Sequence, residues 1–410
     1  MKKSKKGKSQ EKLWSKDFFL VWQGQLVSTI GDSAYSVALG FWVLQTTGST
    51  ALMGTLMAVS ALPGILISPF AGVWIDRMNK KALLITMDII RGAGIVLLAT
   101  AAFMNVIKVW MVFAAGILLS ICGAVFRPCV NSSIPEMIPK SKLSNANSML
   151  SAASTGSNML GNVMGGYLFQ IFGAPLLFLV NGVSYFFSGT SLGFVKLPKN
   201  QSNNKQNFIK DMKDGFRYMW NQKILRYLLI IAAIMNFFSF VAIVLFLPLF
   251  RNTPSLGAGK YGIAMACFMG GSMLGFVFSS VVTFPSHRRA FLLIIANGIM
   301  SISFALAVNQ QLFCIMILFI LMGGFFNAIL NVILLSSVQS TTPNEMRGKV
   351  LAFMNMITQS LTPFAMAFGG ILASFIPAKT IITLSFIIIL LVISPFAFVK
   401  SFIRSLNFDE

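Results

Sequence analysis

The chain has 410 residues and a net charge of +21, yet only 10% of its residues are charged, 56% are hydrophobic and the mean hydropathy is +0.78. A soluble domain carries roughly 25% charged residues, so charge this sparse excludes a soluble protein of this size. Apolar runs of about 18 residues or more recur along the chain, as bilayer-crossing helices require, and a β-barrel would instead show alternating segments of about ten.

The apolar runs predict helices over residues 18–45, 50–75, 82–104, 108–131, 143–171, 174–196, 224–250, 259–283, 290–308, 311–338, 344–375 and 379–400. With twelve crossings, all of the 32 Lys and Arg fall on the side holding the N-terminus except Lys108, Arg251, Lys260 and Lys379. The positive-inside rule then places both termini in the cytoplasm. The basic residues read as topology signals with some attraction to anionic lipid, rather than as a nucleic-acid footprint. The apolar run after the basic tail is too long for a signal peptide. Cys122, Cys129, Cys267 and Cys314 all lie in apolar helices and read as small packing residues.

In the first helix Gln25, Ser28 or Thr29, Asp32 and Ser36 share one face at helical spacing. About 14 residues in, Asp32 lies roughly 20 Å from the cytoplasmic end. Of the 11 acids only Asp32 and Asp88 fall inside apolar helices, and an intramembrane carboxylate is a functional candidate by default. A carboxyl reached by water from either side in turn could exchange a proton for a cationic substrate; a packing role through hydrogen bonds is the alternative. Between the second and third helices stands Gly72-Val-Trp-Ile-Asp76-Arg77-Met-Asn79-Lys80-Lys81, where Asn79 is expected in a left-handed turn. Asp88 and Arg91 are three apart and can pair. With Arg127 they are assigned to a gate or to packing rather than to substrate.

The fifth helix carries Gly161-Asn-Val-Met-Gly165-Gly166, and the eighth offers Gly271 and Gly275 as a facing surface for close helix approach. A polar stretch, 197–223, divides six helices from six. It contains Phe208, Met212, Phe216 and Met219 or Trp220 at helical spacing, which predicts an amphipathic helix on the interface. The expected organisation is a basic tail (1–17), a six-helix bundle (18–196), the linker (197–223), a second bundle (224–400) and a tail (401–410). An offset of 204 aligns Pro139 with Pro343 and Gly165-Gly166 with Gly369-Gly370; an offset of 208 aligns Gly54 with Gly262. These matches suggest parallel six-helix repeats. Further cavity candidates are Asn236, which overlays Asp32, then Asn327 and Asn331, and Asn355 and Gln359. Any of these could equally serve as interhelical glue. Thr342-Pro343-Asn344-Glu345 reads as a capping box at the start of the eleventh helix.

The loop at residues 72–81 resembles the cytoplasmic signature of the major facilitator superfamily. The resemblance implies a gate in which Gly72, Asp76, Arg77, Lys80 and Lys81 dock near Glu345 and hold the cytoplasmic side shut. The glycine run of the fifth helix resembles the family's antiporter signature, with Asn162 in place of Pro. The segments Trp22-x-Gly24-Gln25 with Gly31-Asp32, Asp88-x-x-Arg91, and Phe126-Arg127-Pro128 through Ser148 resemble the subgroup of macrolide-type drug exporters and siderophore exporters. The implied fold is all-α, with twelve transmembrane helices in two parallel-related bundles, and helices 1, 4, 7 and 10 lining the path.

No Gly-x4-Gly-Lys-Ser/Thr phosphate loop occurs, and no nucleophile or metal constellation is seen, so no enzyme activity and no cofactor are expected. An ion gradient, with protons the expected ion, remains as the energy source. The leading expectation is proton-coupled efflux of an amphiphilic, macrolide-like compound by a monomer in a bacterial cytoplasmic membrane. Export of an endogenous siderophore or lysolipid is the alternative. A membrane receptor or assembly factor on the same fold is the reading from a different class.

Overall fold

The computed structural model describes residues 14–139, 142–196, 208–282 and 288–398, without the side chains at 69–70, 72–74, 76–77, 144, 208–211 and 397–398. The C-terminal tail (401–410), residues 1–13 of the N-terminal tail, linker residues 197–207 and His287 lie outside the described residues. Twelve α-helices follow: α1 (Lys16–Thr47), α2 (Thr50–Arg77), α3 (Lys80–Phe103), α4 (Val109–Met137), α5 (Leu143–Gly193), α6 (Phe208–Asn221), α7 (Lys223–Asn252), α8 (Gly257–Val281), α9 (Arg289–Ala307), α10 (Phe313–Thr341), α11 (Asn344–Leu372) and α12 (Ala378–Ile393).

Among the described residues, ten stretches are long and apolar enough to cross a bilayer. One of them holds two crossings, because Gly173 (φ 74°) breaks α5 and Pro175 follows it. Glycine tolerates that backbone and proline supplies no amide. Counting α1, whose polar stripe dilutes its hydropathy, the chain makes twelve crossings. The short amphipathic α6 is extra.

The first five helices form one bundle, with α5 packed along α1 and α3, and α4 against α2 and α3. The second bundle pairs α8 and α9 with α10, and α7 with α11 and α12. The bundles meet chiefly where α5 touches α8 and α2 touches α11. Both contacts lie at the end opposite the one where α1 begins. There a Cβ on Gly54 would stand 2.7 Å from Gly370 Cα, and one on Gly166 would strike the Ala258 carbonyl. Backbones this close leave no room for solvent. Towards the end where α1 begins, here termed the basic end, the bundles part. Cavities of about 520, 690 and 860 Å³ occupy that half. The larger openings between the bundles are therefore at the basic end; the opposite end is closed at the glycine contacts and holds a pocket of about 410 Å³ lined by α1, α5, α7 and α8.

Several boundaries differ from expectation. α4 continues past residue 131 to Met137, through Pro128 and Pro135. α12 ends at Ile393 and tightens into a 3₁₀ turn, Ser394–Phe398. The expected amphipathic helix is present as α6. It packs on α11, with Met219 buried, the Phe216 and Phe353 rings 5.4 Å apart, and a Lys349–Asp214 ion pair of 2.9 Å.

Candidate functional site

The polar face of α1 opens onto the 520 Å³ cavity. Gln25, Ser28, Thr29 and Asp32 line it, joined by Arg91 from α3, Arg127 and Asn131 from α4, and Asn158 from α5. Tyr185, past the break in α5, donates its hydroxyl hydrogen to Asp32 Oδ1. Arg91 pairs with the fully buried Asp88. Its guanidinium lies 4.1 Å from the Phe126 ring centroid and 4.5 Å from that of Tyr185, in contact with two aromatic rings. Asp32, Tyr185, Arg91 and Asp88 thus form a continuous polar chain through the first bundle. A buried pair of this kind is costly to break because either partner alone is an uncompensated charge.

Asp88 and Arg91 form the buried pair that their spacing allowed, as the packing alternative expected, while Arg91 and Arg127 also line the cavity. Asp88 and Arg91 lie 8 and 11 residues beyond the start of α3 at Lys80, roughly 12 and 17 Å deep. Arg127 is ten residues from the end of α4 because that helix is longer than expected. All three belong to the interior, and Arg127 lines both the 520 and the 690 Å³ cavities.

Lys80 and Lys81 stay within their own bundle. Lys80 Nζ bonds Glu136 at 2.6 Å, and Lys81 Nζ bonds the Gly193 carbonyl at 2.6 Å. Asn79 is the extended N-cap of α3 (φ −68°), accepting from the Ala82 amide, rather than a left-handed turn residue. The side chains of Gly72, Asp76 and Arg77 lie outside the described residues. Glu345 is exposed in the first turn of α11. The expected capping box is not formed: Thr342 turns its hydroxyl back to the Val338 carbonyl at 2.6 Å, and no side chain caps α11.

In the second bundle Asn355 and Gln359 line the 690 Å³ cavity, and Asn327 lines the 860 Å³ groove between α5 and α8. Asn331 donates to the Asn327 carbonyl oxygen at 2.8 Å and to its Oδ1 at 3.2 Å. Asn236 accepts from Thr362 at 3.3 Å, a tie between α7 and α11. The sequence reading missed polar cavity residues on α4 and α5, Asn131 among them, and Tyr185, which bonds Asp32. Ser151, Thr155 and Asn158 repeat at helical spacing along α5, a signal as legible as that of α1, and Asn158 accepts from Ser33 at 2.6 Å. Tyr185 carried no local signal.

The glycines need one reassignment. Gly161 and Gly165 face α1, where a Cβ would approach the Ile30 carbonyl oxygen at 2.6 Å and Ala34 Cα at 2.7 Å, and Gly166 faces α8. Gly271 and Gly275, however, pack on the Leu321 and Phe325 carbonyls of α10. The surface of α8 that meets α5 is Gly259 and Gly262. Nine residues separate Gly262 from Gly271, and at 3.6 residues per turn that places them on opposite faces.

The Major Facilitator Superfamily model matches residues 21–363. Macrolide efflux protein A of Streptococcus pyogenes is 24% identical over 374 residues, 88% of this chain and 89% of that protein. Multidrug efflux pump Tap of Mycobacterium tuberculosis is 21% identical, covering 86% of each. Among solved structures, a bacterial homologue of the human lysosomal transporter Spinster, inward-facing and unoccupied, superposes with a TM-score of 0.69 at 15% identity over 95% of this chain and 96% of that one. The POT family transporter PepTSo gives 0.72 at 12% identity, covering 95% and 98%. A twelve-helix fold in two bundles, an interior cavity bearing charge and a family match across most of the chain agree: the chain belongs to the Major Facilitator Superfamily.

Proposed function

We propose that this chain is a secondary active exporter of amphiphilic, macrolide-type compounds that exchanges substrate for protons by alternating access. The observation that carries the reading is Asp32, a carboxylate deep in a membrane-embedded cavity, held by Tyr185 and linked through it to a buried Arg–Asp pair. A proton arriving on Asp32 removes the charge that would hold a cationic substrate, so loading and protonation compete at one atom pair. The names of the efflux relatives point the same way. The positive-inside rule assigns the basic end to the cytoplasm of a bacterial inner membrane, so the conformation described is inward-open and ready to load. We assign 18–196 and 224–400 as the two moving bundles. Residues Gly72 to Lys81 and the start of α11 then form the gate that shuts when the molecule faces outward. The uncapped first amides of α11 favour a carboxylate there, and Asp76 is the candidate acceptor. No contact between chains is needed for this cycle, and a monomer suffices.

The test is accumulation of a fluorescent or radiolabelled macrolide in cells with and without the chain, and with and without an uncoupler. The reading requires lower accumulation with the chain, abolished by the uncoupler. Equal accumulation throughout would refute it.

One observation favours a second reading, export of an endogenous anionic or zwitterionic compound such as a siderophore or lysolipid. Arg127 is exposed on two cavities and makes no ion pair among the described residues. An anion-selective exporter would lose transport on Arg127→Gln while a cation exporter would keep it.

A further inference from the structure

Neighbouring cavities share walls. Ser151 and Thr155 line both the Asp32 cavity and the groove between α5 and α8. At the far side of that groove Phe268 and Asn327 are shared with a smaller pocket of about 50 Å³ inside the second bundle. The three spaces thus adjoin one another in sequence, from a charged site in the first bundle to an interior pocket in the second.

The chemistry changes from one space to the next. Around Asp32 the lining is ionic and amide-rich. In the groove the two walls differ: α5 presents chiefly Asn147, Ser148, Ser151 and Thr155, whereas α8 presents chiefly Met269, Met273, Phe276 and Val277, its Ser272 and Ser280 donating their hydroxyls to the Gly324 and Val277 carbonyls. The innermost pocket is walled by aromatic rings, with Phe304 and Phe386 stacked at 4.7 Å and Phe268 5.8 Å from Phe304. Ser239 and Ile243 of α7 close it on one side, and Asn327 is the polar group beside its mouth. A volume of 50 Å³ admits an alkyl branch or the edge of one ring, not a whole substrate. Methionines on the approach adapt to varied apolar shapes, and aromatic walls favour offset or edge contact with an incoming ring.

We propose that the groove and its aromatic pocket are the apolar half of a divided substrate site, taking the hydrophobic substituent of a cationic amphiphile whose charged end rests at Asp32. The substrate then spans both bundles, with hydroxyl groups along the α5 wall and hydrocarbon along α8. This inference rests on the export reading above and adds to it where the apolar group goes. Because the pocket belongs to one bundle and Asp32 to the other, a ligand that fills both feels any relative motion of the bundles, whereas a small hydrophilic cation does not.

The test uses the purified full-length chain in lipid nanodiscs with radiolabelled tetraphenylphosphonium as probe, a cation with four aromatic rings. Ser239→Leu and Ile243→Phe each fill the pocket from a different turn of α7. Ile230→Phe, on an exposed part of the same helix, controls for added bulk. The expected result is at least tenfold weaker binding for Ser239→Leu and Ile243→Phe, with Ile230→Phe within twofold of wild type. If either pocket variant loses its folded gel-filtration profile, the other decides. Binding within twofold of wild type in a folded pocket variant overturns the apolar subsite and leaves the export reading standing. Absence of tetraphenylphosphonium binding to the wild-type chain overturns both, because the probe then has no site at Asp32 either.

Discussion

Gly54 of α2 and Gly370 of α11 meet backbone to backbone across the two bundles, so that a Cβ on either would stand 2.7 Å from the other's Cα. The pseudo-equivalent contact joins α8 to α5, where a Cβ on Gly262 would strike the Asn162 carbonyl. These paired glycine contacts close the end opposite the open cavities. In an alternating-access cycle they must separate whenever the molecule opens the other way.

Gly370→Val tests that seal. The added side chain meets backbone atoms of Thr50 and Gly54 at under 3 Å. Overpacking of this kind costs about 1–3 kcal/mol, and the cost falls only on the state in which the seal is closed. The expected outcome is a population shifted away from the inward-open conformation. It would be read as increased labelling of single cysteines introduced on the sealed side and decreased labelling on the basic side.

Asp32 and Tyr185 should separate coupling from loading. Asp32→Asn keeps the shape and removes the charge, and the proposed role predicts loss of gradient-driven export. Tyr185→Phe deletes one hydrogen bond to a charged group, worth about 1.5–3 kcal/mol. Export should fall by one to two orders of magnitude, with a shifted pH profile. Transport measured in proteoliposomes across imposed pH gradients checks both. Wild-type rates in Asp32→Asn would show that Asp32 serves packing alone.

The Asp88–Arg91 pair is buried among aromatic rings, so its loss should damage the fold before it damages transport. Asp88→Asn leaves the Arg91 charge uncompensated, at a cost of about 3–5 kcal/mol. The predicted readout is a lower yield of monodisperse protein and a lower thermal midpoint. Replacing both residues together, Asp88→Asn with Arg91→Gln, should recover part of that stability because no lone charge remains.

Asp76 should behave in the opposite way. If its carboxylate docks at the uncapped start of α11 only when the gate shuts, Asp76→Asn should reduce transport several-fold with expression nearly unchanged. Equal losses of both would make the loop a purely structural element.

Much of this architecture was legible in the chain itself. The twelve crossings followed from hydropathy and length, including the division between residues 171 and 174 that the structure places at Gly173. The face of α1 bearing Asp32 followed from periodicity, as the same count along Ser151, Thr155 and Asn158 would have exposed the facing stripe. What only the tertiary structure decided is which group meets which. Tyr185 reaches Asp32 across 153 positions of sequence. Arg91 and Arg127 belong to the cavity because of where α3 starts and where α4 stops. Gly271 turns to α10 while Gly262 turns to α5, although both sit in one glycine-rich helix. The physical reason is that hydropathy and helical period are local properties, complete within a few turns. The neighbour of each helix face is set by close packing over the whole fold, where a shift of one residue rotates a side chain by about 100°.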